Sequence, residues 1–540
     1  MTPFLLRIFS AYFPHIFTTR FIAASVQFFP MKPYSCALVW LRNDLRLHDN
    51  EALTKALRQA TSVAPVFCFD PRQFGSTPFG FPKTGVHRER FLLESLADMR
   101  ARLQERGGNL IARSGAPEEV LPRLAEELRA EALFFHEEVA DEELRAEEAV
   151  SEALSRRGVK IHTFWGATLT HINDLPFEPE QTPDVFTQFR KLVEKKAGEP
   201  RPPLPTPERV NVPEGLSADF WGVIPQSVEK KSIGAQSVWS DAEAAKLPNI
   251  LREFVAANDG KADARAVLPF RGGESAALER VEEYFWRRDE LKRYKETRNG
   301  LLGADYSSKF SAWLALGCLS PRFVYAEVRR YERERVANDS TYWLVFELLW
   351  RDFFRFTALK HDTALFRPFG IQNAPKRWSQ NWEAFNRWRA GMTGIPFIDA
   401  QMRELALTGF MSNRGRQNVA SFLTRDLEVD WRMGAEWFES QLIDYDVCSN
   451  YGNWNYAAGI GNDPREDRYF NIMRQAAMYD TNGDYVRRWL PELRNVPPAR
   501  IHAPHLASAE ELRRYGCELG KDYPRPMLDL EKSAERFRRS

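Results

Sequence analysis

Four short stretches of the chain hold side chains whose types and spacing suit chemistry. In Thr341–Lys360, a stretch of helical spacing, Trp343, Glu347, Trp350 and Phe354 fall on one face. Glu347 therefore shares an aromatic stripe, and a carboxylate buried there must be paired, protonated or used. A nearby arginine would satisfy it structurally. The functional alternative is a positioned hydrogen-bonding group beside a flat, stackable ligand. The second stretch, Asp444 to Trp454 (DYDVCSNYGNW), sets Asp444, Asp446 and Asn450 among aromatics, a polar lip for a heteroaromatic ring. Asp-x-Asp can also ligate a hard cation, but Cys448 holds the next alternate position and no His is near, so no metal is expected. The third, Asn413-Arg414-Gly415-Arg416-Gln417, supplies cations that could neutralise those carboxylates or a phosphate. The fourth, Tyr306-Ser307-Ser308-Lys309-Phe310-Ser311, offers hydroxyls and backbone donors of the kind that hold a pyrophosphate, or else a solvated loop.

The rest of the sequence indicates what positions these groups. From residue 35, apolar runs at Cys36–Leu41, Val63–Phe69, Leu110–Ala112, Ala132–Phe135 and Val159–Phe164 alternate with helical stretches. In one of these, Leu92, Leu96, Met99 and Leu103 line one face. The alternation predicts a Rossmann-like, doubly wound parallel sheet over 34–165, without the glycine-rich phosphate loop that usually follows the first strand. Residues 166–272 read as an interdomain connector, stiffened by the proline-rich run at 200–207. Residues 273–500 read as a helical domain dense in Trp, Phe, Leu and Arg, and 501–540 as a short charged tail. Residues 1–33 hold Arg7, Arg20 and Lys32, and no acidic residue precedes Asp44. That is the composition of an organelle transit peptide, for mitochondrion or chloroplast; a start at Met31 would leave cytoplasm or nucleus.

Composition sets bounds. The 540 residues carry 75 Lys plus Arg against 74 Asp plus Glu, so no global basic field advertises nucleic acid and any such contact must be a local patch. One patch is Tyr485–His502, with Arg487, Arg488, Arg494 and Arg500 against only Glu492. Five scattered cysteines with no Cys-x-x-Cys argue against a disulfide framework. No apolar run reaches the roughly 18 residues of a membrane span.

Trp350-Arg351-Asp352-Phe353-Phe354-Arg355, Gly391–Arg403, Gly409–Asn418 and Asp444–Tyr456 together resemble the photolyase/cryptochrome family. More narrowly they look like its cryptochrome-DASH branch, as do Asp184–Arg190 (DVFTQFR) and Lys295–Ser308. The resemblance runs in consistent order from about residue 35 to 500. It implies one FAD in the helical domain, with Tyr294 and Ser307, Ser308, Lys309, Phe310 and Ser311 at its phosphates and ribose. Glu347, Arg351, Asn413, Arg416, Asp444, Asp446 and Asn450 would surround the rest, Asp444 pairing with Arg416 and Asn450 facing the reactive edge of the flavin. Trp378, Trp431 and Trp454 match the family's electron-transfer chain. A 5,10-methenyltetrahydrofolate antenna is implied too, with Glu138 as its acidic contact; Glu137 stands where relatives are usually basic.

The activity so implied is light-driven repair of cyclobutane pyrimidine dimers, mainly in single-stranded DNA, by a monomer. Undamaged DNA or RNA would bind weakly. Glu347, Trp350, Arg414, Gln417, Tyr456, Arg487 and Arg488 would meet the nucleic acid. Gln417 and Tyr456 stand where relatives acting on double strands usually carry Met and Trp, which makes the pocket more polar. Flipping a dimer out also costs less when the strand is already single. The rival reading is a blue-light receptor that binds DNA or a partner without repair; the shortness of the tail favours repair.

Overall fold

The computed structural model describes residues 32–224, 263–462 and 469–539. The transit-peptide expectation for 1–33, all but its last two residues, lies outside them, as does 225–262 of the connector. Strand β1 (Tyr34–Leu41) is buried continuously from Cys36 onward, the pattern of a central strand covered on both faces. It pairs in parallel with β2 (Ala60–Phe69) on one side and β4 (Ala132–His136) on the other. With β3 (Ile111–Ser114) and β5 (Lys160–Phe164) the order is β3-β2-β1-β4-β5, all parallel. The helix Val86–Gln104 buries Leu92, Leu96, Met99 and Leu103, the face expected. Because the winding reverses between β1 and β4, their carboxyl ends open a crevice, where such sheets bind ligands. Arg42 and Asn43 leave β1 at that point, and Glu137 and Glu138 leave β4.

The connector is more than a strap. It contains the helix Phe186–Lys196, whose Phe186, Phe189 and Val193 are buried. Its proline-rich run is tied to the loop after β1, where Asp49 N donates to Leu204 O at 2.9 Å and Asp49 Oδ1 accepts from Leu204 N at 2.9 Å. The same Asp49, fully buried, holds Arg322 of the helical domain at 2.9 and 2.6 Å. Glu274, also fully buried, accepts from Leu47 N at 2.7 Å and Arg102 Nε at 2.9 Å. Two buried carboxylates thus weld the sheet to the helices.

Helices fill the chain beyond Gly273. The longest, Asp339–His361, starts in a capping box, with Asn338 Oδ1 accepting from Ser340 N and Thr341 N and Thr341 Oγ1 accepting from Asn338 N. In its middle Asp352, fully buried, takes Leu169 N at 2.9 Å and Thr170 N at 2.7 Å, pinning the helix to the connector. The expected tail after 500 folds back onto the helical domain. Tyr523, buried, donates to Asp399 Oδ2 at 2.5 Å, and Ser533 in the terminal helix Leu530–Arg539 donates to Asp426 Oδ1 at 2.6 Å. The tail reading follows the segment's charged composition, which is blind to single buried anchors such as Tyr523. All five cysteines are free and buried. Among the described residues no helix is long and apolar enough to cross a membrane.

Candidate functional site

The long helix organises the site. Glu347, Arg351 and Arg355 recur every four residues and so share a face. Glu347 is ion-paired with Arg298. Arg351 donates to the carbonyls of Ala167 and Leu314 and lies 3.9 Å from Asp446. Arg355 is ion-paired with Glu138 from the sheet crevice. Trp350 stacks on Phe186, ring centroids 3.7 Å apart and planes at 12°, and meets Tyr456 edge-on at 6.3 Å. Trp350 and Phe186 thus form a flat aromatic wall about one turn along the same helix from Glu347.

Opposite it, the helix Val447–Ala458 is capped by Asp446, whose Oδ1 accepts from Ser449 N at 2.7 Å. Burial would raise the Asp446 carboxyl, but Arg351, Arg355 and the cap bond outweigh it and hold the group below its ordinary value. Asp444, buried, takes both carboxylate oxygens to Arg416 Nη2 at 2.9 and 2.8 Å. The expected pair is present. With Asp444 on an arginine and Asp446 on a helix cap, the Asp-x-Asp pair is committed to functions other than a metal. Arg416 follows Asn413 by one turn in the helix Asn413–Ser421, so the two share a face. Asn450 Nδ2 donates to Ala435 O at 3.0 Å, which fixes the amide's orientation. Arg414 donates to Gln417 Oε1 at 2.9 Å and to Asn299 Oδ1 at 3.0 Å, so Gln417 is held by its own neighbour.

The 306–311 stretch is an ordered turn rather than a solvated loop. Ser308, Lys309 and Phe310 are buried, Ser307 is half-buried and Ser311 is exposed. Arg280 gathers the carbonyls of Ala304, Ser307 and Ser308 at 3.0, 3.4 and 3.1 Å. Lys309 sits at φ 63°, in the left-handed region that a residue with a Cβ rarely adopts. Its ammonium donates to Ser307 Oγ at 2.9 Å and lies 3.0 Å from the Tyr306 ring centroid. Burial drives this amine well below its ordinary value, a cost that a bound anion would relieve. The buried Tyr306 hydroxyl and Arg414 Nε have no hydrogen-bond partner among the described residues. Tyr294 is buried close by in sequence, at the start of the short helix Tyr294–Thr297. Cations and hydroxyls at this end, with a carboxylate–arginine pair and a fixed amide at the other, fit a dinucleotide carrying a heteroaromatic ring.

Trp378 and Trp431 both donate their indole N–H to Pro368 O, at 2.9 and 3.1 Å, which sets the two rings beside each other. Trp378 is half-buried and Trp431 fully buried. Trp454 reaches the same helix as Trp431 because residue 434 is glycine: a Cβ there would sit 2.2 Å from the Trp454 ring.

Behind the Arg355–Glu138 pair lies a cavity of about 690 Å³, lined on one side by Trp40, Phe67 and Phe74 and on the other by Arg351, Asp446 and Tyr451. Asn43 Nδ2 donates to Glu138 Oε1 at 3.1 Å across the β1/β4 crevice. Burial pushes Glu439, on the cavity wall, up to about 7 against the pull of Arg88 and Lys83.

The basic segment 485–502 is tied down more than its composition suggested. Arg487 donates to Asn482 O at 2.5 Å and Val496 O at 2.9 Å, and Arg488 donates to Arg265 O at 3.0 and 2.8 Å. Arg488 remains exposed. Four contacting residues escaped the sequence reading: Phe186, Arg298, Arg280 and Arg355 as the partner of Glu138. Phe186, Arg298 and Arg355 lay inside stretches noticed for other reasons.

This is the architecture of a two-part protein: a parallel sheet with a crevice at its topological switch point, joined to helices whose residues fit a dinucleotide. The sequence matches the family described as "DNA photolyase" over residues 37–208 and "FAD binding domain of DNA photolyase" over 343–540. A protein named Cryptochrome DASH from Gloeobacter violaceus is 54% identical over 92% of this chain and 94% of its own. One named "Cryptochrome DASH, chloroplastic/mitochondrial" from Arabidopsis thaliana is 50% identical, covering 90% of this chain and 80% of its own. The solved cryptochrome of Synechocystis sp. PCC6803 superposes with a TM-score of 0.85 at 50% identity, covering 93% of this chain and 98% of that one. The chain belongs to the photolyase/cryptochrome family, in its cryptochrome-DASH branch, and carries that family's FAD-binding domain.

Proposed function

We propose that the protein is a blue-light-dependent FAD flavoprotein that repairs cyclobutane pyrimidine dimers, mainly in single-stranded DNA, acting as a monomer. The carrying observation is the wall of Trp350 on Phe186, edge-on to Tyr456, with Glu347 about one turn away on the same helix. Bound FAD supplies the light-driven electron chemistry; this chain's residues bind, orient and exclude water. Trp350 and Tyr456 flank an extruded dimer, Glu347 hydrogen-bonds its polar edge, and Arg414 and Arg488 meet flanking phosphates. Lys309, Ser307, Ser308, Phe310, Ser311 and Tyr294 hold the cofactor's diphosphate and ribose. Arg351, Asn413, Asp444 with Arg416, Asp446 and Asn450 set the polarity around its ring. Trp454, Trp431 and Trp378 would form the path by which electrons pass from the surface toward the cofactor. The 690 Å³ cavity takes a 5,10-methenyltetrahydrofolate antenna against Glu138. The chain acts in a chloroplast or mitochondrion, a reading supported by the composition of 1–33 and the names of the plant relatives.

One observation favours the photoreceptor reading: Glu347 is already engaged by Arg298. Blue-light turnover of a dimer-containing oligonucleotide, single- and double-stranded, separates the two. Dimer loss under light, greater on the single strand and absent in the dark, supports repair. Stoichiometric FAD with no dimer loss leaves the photoreceptor.

A further inference from the structure

Trp454 has a second aromatic neighbourhood, beside the helix Trp382–Arg389. There it meets Trp388 edge to face, with ring centroids 6.3 Å apart and planes at 76°. Trp388 is fully buried and lies 5.5 Å from Phe385, which lies 5.8 Å from Trp382. Trp382 is 40% exposed. These three rings recur every third residue along the helix Trp382–Arg389, which keeps them roughly in file. A continuous row of rings thus runs from Trp454 to solvent.

Two details suit this row to carrying a hole outward. At the end of the first route, the Lys376 ammonium lies 4.8 Å over the Trp378 ring and is fixed by a 2.9 Å bond to Ala458 O. That positive charge opposes an oxidised ring beneath it. In the second route, Trp388 Nε1–H donates to Val419 O at 3.1 Å. A carbonyl is too weak a base to take the proton, so an oxidised Trp388 stays protonated until an electron reaches it from outside. Trp382, in contact with water, can lose its proton and hold the hole at the surface.

We propose that Trp388 and Trp382, bridged by Phe385, form a second electron-transfer arm that joins the first at Trp454. The inference rests on the reading of Trp454 as the indole next to the flavin. Light draws one electron from Trp454 onto oxidised FAD; Trp388 refills Trp454, and Trp382 refills Trp388. Trp382 releases its Nε1 proton to water, and its neutral radical recovers an electron and a proton from a thiol in solution. Phe385 fills the gap between the indoles and is not itself oxidised.

The test is photoreduction of the full-length, FAD-loaded protein under blue light with dithiothreitol, followed by bleaching of oxidised-flavin absorbance. Flavin content and melting temperature are checked for every variant. Trp454→Phe should abolish bleaching, Trp378→Phe should slow it without abolishing it, and Trp378→Phe/Trp382→Phe should fall to the level of Trp454→Phe. Trp382 is partly exposed, so its replacement leaves the core intact; Trp378→Phe/Trp388→Phe should give the same loss. The second arm is overturned if Trp378→Phe alone is as inert as Trp454→Phe, or if adding Trp382→Phe changes nothing. A Trp454→Phe variant that bleaches at the wild-type rate would overturn instead the placement of Trp454, and the arm with it.

Discussion

The helix Asp339–His361 separates two chambers whose charges are handled in opposite ways. In the stretch that leads into the helix Val447–Ala458, Asp444 is matched by Arg416, and Asp446 by its cap bond with Arg351 and Arg355 nearby. On the sheet side Glu439 is buried with Arg88 and Lys83 too weakly placed to offset its desolvation, and its carboxyl rises to about 7. Burial acts on both sets, so what differs is geometry. Against burial, the cap bond and the two arginines hold the Asp446 carboxyl below its ordinary value, and the cations near Glu439 do not do the same there. The sheet side should therefore respond to pH around neutrality through Glu439.

The largest expected effect comes from breaking a matched pair. Asp444→Ala leaves Arg416, whose side chain is 26% exposed, without its carboxylate and should cost about 2–3 kcal/mol of stability, below the fully buried range, with loss of FAD. Thermal melting and the flavin-to-protein absorbance ratio check it. Stoichiometric flavin at the wild-type melting temperature would show that the pair is not what holds this chamber.

Next is the unmatched acid. Because folding raises the Glu439 carboxyl, its folded form is favoured most at low pH. The advantage fades as pH rises from the unfolded carboxyl's value through about 7. Glu439→Gln should remove that slope and stabilise the protein above pH 7 by on the order of 2–3 kcal/mol. Denaturant melts from pH 5 to 8 read the difference, and parallel wild-type and mutant curves would cancel the contrast between the chambers.

Smaller still, Arg298→Ala removes a partly exposed partner from Glu347 and should cost less than about 1 kcal/mol. It should leave FAD binding unchanged while altering affinity for dimer-containing strands, measured by fluorescence anisotropy. The smallest effect is that of Arg488→Ala. If this guanidinium meets a phosphate, the slope of log affinity against log salt on single strands should flatten by up to about 0.7. An unaltered slope would mean that Arg488 serves only Arg265 O.

The sheet was legible because its central strand is apolar on both faces, and the Asp444–Arg416 pair only through the family resemblance, since charge alone left Arg416 open to those carboxylates or to a phosphate. Phe186 was quoted within a motif, but nothing local says that it stacks on Trp350. Periodicity reports which face of an element is buried, not which distant residue covers it. Glu347 shows the same limit, since the stripe required a partner for it and Arg298 was not nameable from spacing. Arg487 and Arg488 show a related limit: a run of like charge reads as a binding surface, and spacing does not tell which donors backbone carbonyls already hold.

Glu347, Arg351 and Arg355 reach the aromatic pocket, the flavin residues and the sheet crevice from one helical face. Their common reach makes the chain intolerant of insertion there in a way that no single substitution reveals. One residue added between Glu347 and Arg351 would turn Glu347 and everything before it about 100° relative to Arg351 and Arg355. The aromatic pocket would then fall out of phase with the other two chambers, though every side chain of the helix was still present.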